Sequence, residues 1–207
     1  MSYCDWKNTS DANLKYHDEE WGVPLHDDYK LFEALMLEVL QCGLNWNTII
    51  NKRNIFRNCF HNFNFEEIAK YTNDDIERIL TTEGMIKSRR KINAIINNAR
   101  CFCMICEEFG SFDKYIWRWS DYKTIIYEQH GKGHIPVCNA LSDDIFKDLK
   151  KRGFKFLGSI TVYAFLQACG IINDHDCDCS RCKFIVKNYP CICLPKIGEK
   201  SINAFCN

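Results

Sequence analysis

The sequence predicts an all-α protein on three observations: apolar residues recur at spacings of three and four, strand-like alternation is scarce, and the prolines stand outside the periodic runs. The first run, residues 28–41, places Leu31, Leu35, Glu38 and Cys42 close together on one helix face. Shorter runs follow at 65–71 and 74–81, and Asn73-Asp74-Asp75 with Glu77 close behind reads as the N-cap of the second. The longest, 88–109, stops at Gly110, as helices that end in a left-handed glycine do. Residues 142–151 enter through Ser142-Asp143-Asp144 and leave at Gly153, and residues 161–169 complete the set. Pro24, Pro136, Pro190 and Pro195 interrupt none of these helices.

The chain has 207 residues, of which 46% are hydrophobic and 14% aromatic, enough apolar material for a core and too much for a disordered chain. One domain, or two interwoven lobes, is expected. No uncharged apolar run reaches membrane-spanning length, and Met1 to Asn8 contains Asp5 and Lys7 rather than a hydrophobic signal segment. The expectation is a soluble, unexported, cytoplasmic protein. In a reducing compartment most of its 14 cysteines act as small buried hydrophobes, with a subset available for metal. Composition shifts after His175, and residues 177–207 read as an irregular, cysteine-rich tail.

Lys+Arg and Asp+Glu both number 27, so the net charge is zero, yet basic residues cluster at Lys87, Arg89, Arg90 and Lys91 and again at Lys147, Lys150, Lys151, Arg152 and Lys155. Such clusters can meet phosphate, although most charge runs are solvated helix faces. Zero net charge argues against generic DNA coating, which needs many phosphate contacts.

Cys4 and His17 near the start, with His175 and Cys179 near the end, can form a closed Cys2His2 zinc site that pins the two ends together. Cys177, Cys179, Cys182, Cys191 and Cys193 crowd one segment, so a tail-only site is the alternative. His26, His61, His130 and His134 read as surface or hydrogen-bonded histidines.

Trp6, Tyr16, Trp21 and Trp46 form either an aromatic cage or a well-filled core. Glu38 separates these readings, because a carboxylate in an apolar stripe needs a partner or a purpose. Between residues 149 and 170 the chain reads as helix, turn and helix, with Gly153 and Gly158 bracketing the turn and a second helix starting near Ser159 or Thr161. Its exposed amides offer a phosphate a donor nest, assisted by Lys155.

The blocks Cys4-Asp-Trp6, Tyr16-His-Asp-Glu-Glu-Trp-Gly-Val-Pro24, Leu31-Phe-Glu with Glu38, Gln41-Cys-Gly-Leu-Asn-Trp46, Lys151-Arg-Gly-Phe-Lys-Phe156 and Gln167-Ala-Cys-Gly-Ile-Ile-Asn-Asp-His175 stand in this order along the chain. In these blocks, over residues 1 to about 179, the chain resembles the constitutive 3-methyladenine DNA glycosylases of the helix-hairpin-helix superfamily. The resemblance implies an all-α helix-hairpin-helix architecture with zinc stapling an N/C-terminal lobe, a glycosylase domain at 1–179 and a cysteine-rich tail at 180–207. It implies a monofunctional enzyme that hydrolyses the glycosidic bond of 3-methyladenine in alkylated double-stranded DNA. A monomer is the default expectation.

Residue by residue, Cys4, His17, His175 and Cys179 match the family's structural zinc ligands, and Glu38 matches its base-contacting carboxylate. Tyr16 and Trp46 match pocket aromatics, with Trp6 and Trp21 in the same motifs. Gly153, Lys155, Gly158 and Thr161 fall in the DNA-gripping hairpin. Asp174 is expected to play a structural part beside His175. Two departures stand out: Asn13 replaces a second pocket tyrosine, and the tail is longer and richer in cysteine. The rival functions are a non-catalytic, zinc-stabilised module that binds damaged DNA and, on Cys179-Ser-Arg-Cys182 alone, a thiol redox protein.

Overall fold

The computed structural model describes residue 4 and residues 10–128 and 135–195. Trp6, His130 and His134 lie outside the described residues. Helix α1 (Asp11–Glu19) starts at Ser10, whose hydroxyl accepts from the Asn13 amide, and it buries Tyr16 and His17. Helix α2 (Asp28–Gln41) has the bounds that its periodicity predicts and is capped by Asp27. From Leu31 to Leu40 every residue except Ala34 is buried. The reason is position: α2 packs against α3 (Trp46–Asn51), α7 (Arg89–Phe109), α8 (Phe112–Trp117) and α10 (Ser159–Ala168), so nearly its whole circumference is covered.

Three short helices, α4 (Arg53–Cys59), α5 (Phe65–Ile68) and α6 (Asn73–Thr81), lie between α3 and α7. Helix α6 is capped by Thr72, one residue earlier than expected, because Asp75 turns back to accept from the Thr72 amide at 3.0 Å. Helix α9 (Ala140–Lys151) likewise begins at Asn139 and not at Ser142. There the Asn139 side chain accepts from the Ser142 amide at 2.8 Å, and the Ser142 hydroxyl accepts from the Asn139 amide at 2.9 Å. Gly110 does end α7, with φ +84° and its amide donating to the Cys106 carbonyl.

The described part of the tail, up to residue 195, is not irregular. Helix α11 (Ser180–Asn188) starts at Cys179, and strand β2 (Cys191–Leu194) pairs in parallel with β1 (Thr124–Tyr127). These short strands qualify the all-α expectation, since four residues are too few to show a period in the sequence. On its other flank β1 is bonded to the chain after α10: the Ile125 amide donates to Ile171, and the Asn173 amide donates to Ile125. Among the described residues no helix is long and apolar enough to cross a membrane.

In the basic cluster at the start of α7, Lys87, Arg89 and Arg90 are exposed, as a solvated face requires, but Lys91 is not. Lys91 is buried, and its Nζ donates to the Leu40 and Cys42 carbonyls at 2.6 and 2.7 Å. Helix α2 has no basic residue in its own last turn, so this ammonium group serves the carbonyls left open at its C-terminus. Arg89 pairs with Glu77, and Arg90 stacks over Phe156 at 5.5 Å. In the second cluster Arg152 binds Glu108 and Asp148, and Lys147 binds Asp144.

Candidate active site

Two glutamates of α2 show what decides the site. Glu33 and Glu38 are equally buried, each 6% exposed. Glu33 accepts from Arg53 Nε at 2.7 Å and from Arg57 Nε at 2.8 Å, so its charge is balanced. Glu38 has no cation and no hydrogen bond to its carboxyl among the described residues. Burial alone pushes its pKa up to about 8. A carboxyl left in this state is costly in a merely structural position.

Glu38 opens onto a pocket of about 220 Å³ lined by Tyr16, Trp21, Trp46, Ala164 and Gln167. This is below the roughly 300–1,000 Å³ of drug-sized ligand sites and suits a single flat heterocycle. Tyr16 and Trp46 stand 5.4 Å apart between ring centroids at 52°. The Tyr16 phenol is fully buried, and burial followed by the nearby Glu38 carboxyl raises its pKa well above the ordinary value. Tyr16 is positioned by α1, whose end is tied down where Arg53 bridges Glu20 and Glu33. Trp46 opens α3 beneath the Asn45 cap.

Ala164 and Gln167 are pocket residues to which the sequence assigned no role. They lie three apart on α10, and Gln167 is a polar residue in an otherwise apolar stretch, which is the signal that could have found it. Gln167 Nε2 donates to Asp174 Oδ2 at 2.8 Å, and the same oxygen accepts from the Tyr163 hydroxyl at 2.6 Å. Asp174 therefore orients a pocket wall, in keeping with its expected structural part. Asn13 does not line the pocket. Its amide donates at 3.2 Å to Asn47 Oδ1, which also accepts from Ser10, so this polar clip ties α1 to α3.

Cys4, His17, His175 and Cys179 are all buried, and their ligand atoms lie within 4.8 Å of one another. They are the single such group among the described residues. Cys4 Sγ is 3.5 Å from His175 Nδ1, and Cys179 Sγ is 3.9 Å from His17 Nε2. The outward ring nitrogens are engaged, His17 Nδ1 with Asp18 at 2.8 Å and His175 Nε2 with the Trp21 carbonyl at 2.9 Å. Burial lowers the His175 pKa to about 4, which keeps its ring neutral. The Trp21 ring lies 4.6 Å from the His175 ring, so it joins this cluster to the pocket. His26 and His61 take other partners, Asp113 and Tyr71.

The turn from α9 to α10 carries Gly153, Lys155 and Gly158, while Thr161 sits in the first turns of α10 with its hydroxyl 3.9 Å from Cys42 Sγ. Gly153 has φ +94°, where a side chain would strain the backbone. At Gly158, the N-cap of α10, an added Cβ would meet nothing within 4 Å, and the next residue, Ser159, donates its hydroxyl to Asp143. Lys155 is exposed.

A protein-family model described as methyladenine glycosylase matches residues 6–182. The chain belongs to the methyladenine glycosylase family. It is 40% identical over 179 residues to DNA-3-methyladenine glycosylase 1 of Escherichia coli K12, covering 86% of this chain and 96% of that one. A solved structure of 3-methyladenine DNA glycosylase I from Staphylococcus aureus, described as the structural basis of 3-methyladenine recognition, is similar at a TM-score of 0.83 and 35% identity, covering 87% and 96%. A variant of 3-methyladenine DNA glycosylase I in complex with 3-methyladenine gives 0.83 at 34% identity, covering 87% and 97%. Most of α11 and all of β2 lie beyond the family match.

The Glu38 carboxyl links stability to pH. Between about 4.5 and about 8 it holds a proton in the folded protein that the unfolded chain has released, so its contribution makes the protein less stable as pH rises through this window. Each pH unit crossed is worth roughly 1.4 kcal/mol. In urea melts the Glu38→Gln variant should match the parent at pH 5 and exceed it by several kcal/mol at pH 8.5. Equal stability of the two proteins at both pH values would show that this carboxyl titrates normally.

Proposed function

We propose that the Glu38 pocket recognises 3-methyladenine, and that through it this chain acts as a glycosylase of base-excision repair, hydrolysing the N-glycosidic bond in alkylated DNA to leave an abasic site. The observation that carries this reading is the uncompensated Glu38 carboxyl among aromatic walls. A base stacked in a duplex is out of reach, so the nucleotide must be extruded into the pocket. While joined to deoxyribose, 3-methyladenine is a cation. The faces of Tyr16 and Trp46 attract it, and Glu38, losing its proton to solvent as the cation arrives, complements its charge and its exocyclic N–H donors. Adenine is neutral and supplies no charge to draw off that proton. Trp21 completes the wall.

The leaving group is already activated. As the glycosidic bond breaks, its electron pair goes to the cationic base, which departs neutral, and water adds to the sugar carbon with loss of a proton. Glu38 is thus a recognition residue that draws the cation into place, and no side chain need protonate the base. The α9–α10 unit works as a helix-hairpin-helix, in which the N-terminus at Gly158, the turn at Gly153 and the Lys155 ammonium grip a backbone phosphate without reading sequence. Thr161 supports this hairpin through Cys42.

Cys4, His17, His175 and Cys179 would hold one zinc ion. Two thiolates and two imidazoles, with their outward nitrogens already engaged, are the chemistry of a closed structural site. The ion would clamp the N-terminal segment to the start of α11 and take no part in hydrolysis.

Purified protein incubated with methylated duplex DNA should release 3-methyladenine and leave 7-methylguanine in place. The Glu38→Gln variant should retain DNA affinity within about twofold and lose roughly 10–100-fold in base release, the worth of a charge-assisted contact. Below pH 8 the parent's kcat/KM should climb with pH, whereas the variant's should stay flat. DNA binding without base release would favour the non-catalytic module.

Metal analysis of the same preparation should find about one zinc per chain. Chelation should lower the melting temperature. Metal-free protein with an unchanged melting temperature would remove zinc from this account.

A further inference from the structure

A second cavity, separate from the aromatic pocket, lies beside the hairpin. A groove of about 390 Å³ runs between α6 and α7 and reaches Lys155, sharing no residue with the Glu38 pocket. Asn93, Asn97 and Arg100 recur at spacings of four and three along α7, so they line one wall, and Thr72 and Asn73 line the other. No carboxylate lines it. Asp75, one turn into α6, is engaged with Thr72 and Arg78.

The cations here are placed and unneutralised. Arg100 Nε donates to the Ala69 carbonyl at 2.8 Å, which orients the guanidinium, and its terminal nitrogens have no hydrogen bond among the described residues. Lys155 Nζ has none either, and it forms no ion pair there. The Lys155 backbone, in contrast, is fixed to α7: its amide donates to Asn98 Oδ1 at 2.8 Å and its carbonyl accepts from Asn98 Nδ2 at 3.0 Å. Asn97 Nδ2 donates to the Gly153 carbonyl at 2.8 Å, so the hairpin and the groove wall form one piece. Elsewhere in the fold Arg53, Arg57, Arg78, Arg89 and Arg152 are each paired with a carboxylate. A polar groove that lacks carboxylates and holds two unpaired cations is built for an anion.

We propose that this groove is a second phosphate subsite, in which Arg100 holds a backbone phosphodiester of the substrate DNA next to the one gripped by the hairpin, with Lys155 standing between the two. The proposal rests on the DNA-glycosylase reading above and extends the contact surface from the hairpin onto α7. A guanidinium fork suits phosphate oxygens bidentately, and the amides of Asn93 and Asn97 add neutral donors.

The test is anisotropy of a labelled unmodified duplex at several salt concentrations. Arg100→Ala should weaken binding about 3–10-fold at low salt and make the log–log salt slope shallower by about one. Because Arg100 also holds the Ala69 carbonyl, Asn93→Asp provides an independent variant: Asn93 is exposed, and a carboxylate placed there should weaken binding without touching that bond. Lys147→Ala, which removes a lysine already paired with Asp144, should bind like the parent. Base release by Lys147→Ala should match the parent, while Arg100→Ala and Asn93→Asp should raise KM for methylated duplex, so loss of duplex binding is separable from failure of the glycosylase reading, which would appear in the parent itself.

Unchanged affinity and slope in both groove variants would overturn the proposal. So would NMR shifts of Arg100 Nε that follow inorganic phosphate but not the duplex, since the groove would then serve a free anion.

Discussion

Burial of the Glu38 carboxyl without a partner is the constraint around which this protein is organised. An ionised carboxylate in such a place is strongly disfavoured, so the free protein holds it protonated, with a pKa near 8. A cation entering the pocket reverses that preference. In the proposed function, selectivity follows from electrostatics: the charge that methylation places on the base is the charge the pocket lacks. Glu33, five residues earlier on α2 and equally buried, shows the ordinary solution, in which arginines supply the balance.

Holding that unbalanced group in place requires a rigid surround. Helix α2 is enclosed on nearly every side, and Lys91 anchors its C-terminal carbonyls from α7. Helix α1 brings Tyr16 to the pocket and is held by Arg53 at its end and by the Asn13–Asn47 clip along its length. Asp174 fixes Gln167 from the opposite wall. Through Asn97 and Asn98, α7 also carries the α9–α10 turn, so the helix that braces the pocket braces the proposed DNA grip as well.

Much of this was legible in the sequence because it lies in single-residue chemistry or in long periodic runs. The bounds of α2 follow from its apolar spacing, and Glu38 stands out as a carboxyl in that stripe. Cysteine and histidine at both chain ends announce a ligand set that the fold brings within 4.8 Å. What the sequence concealed depends on partners distant along the chain. Nothing local distinguishes Lys91 from its basic neighbours until the C-terminus of α2 is placed beside it. Strand β2 exists because β1 offers a bonding edge, and Asn139 displaces Ser142 as a cap because their reciprocal hydrogen bonds satisfy both residues. Ala164 and Gln167 become pocket residues once α10 crosses α2.

The most direct test of the central claim is the protonation state of Glu38 itself, read by carbon NMR of glutamate side-chain carboxyls across a pH titration. The account requires a midpoint near 8 in the free protein and a lower one when a cationic methylated adenine nucleoside analogue fills the pocket, because its charge and its N–H donors favour the carboxylate. A midpoint near 4.5 in the free protein would mean that the carboxyl is solvated or paired, and the proposed basis for recognising the methylated base would fall.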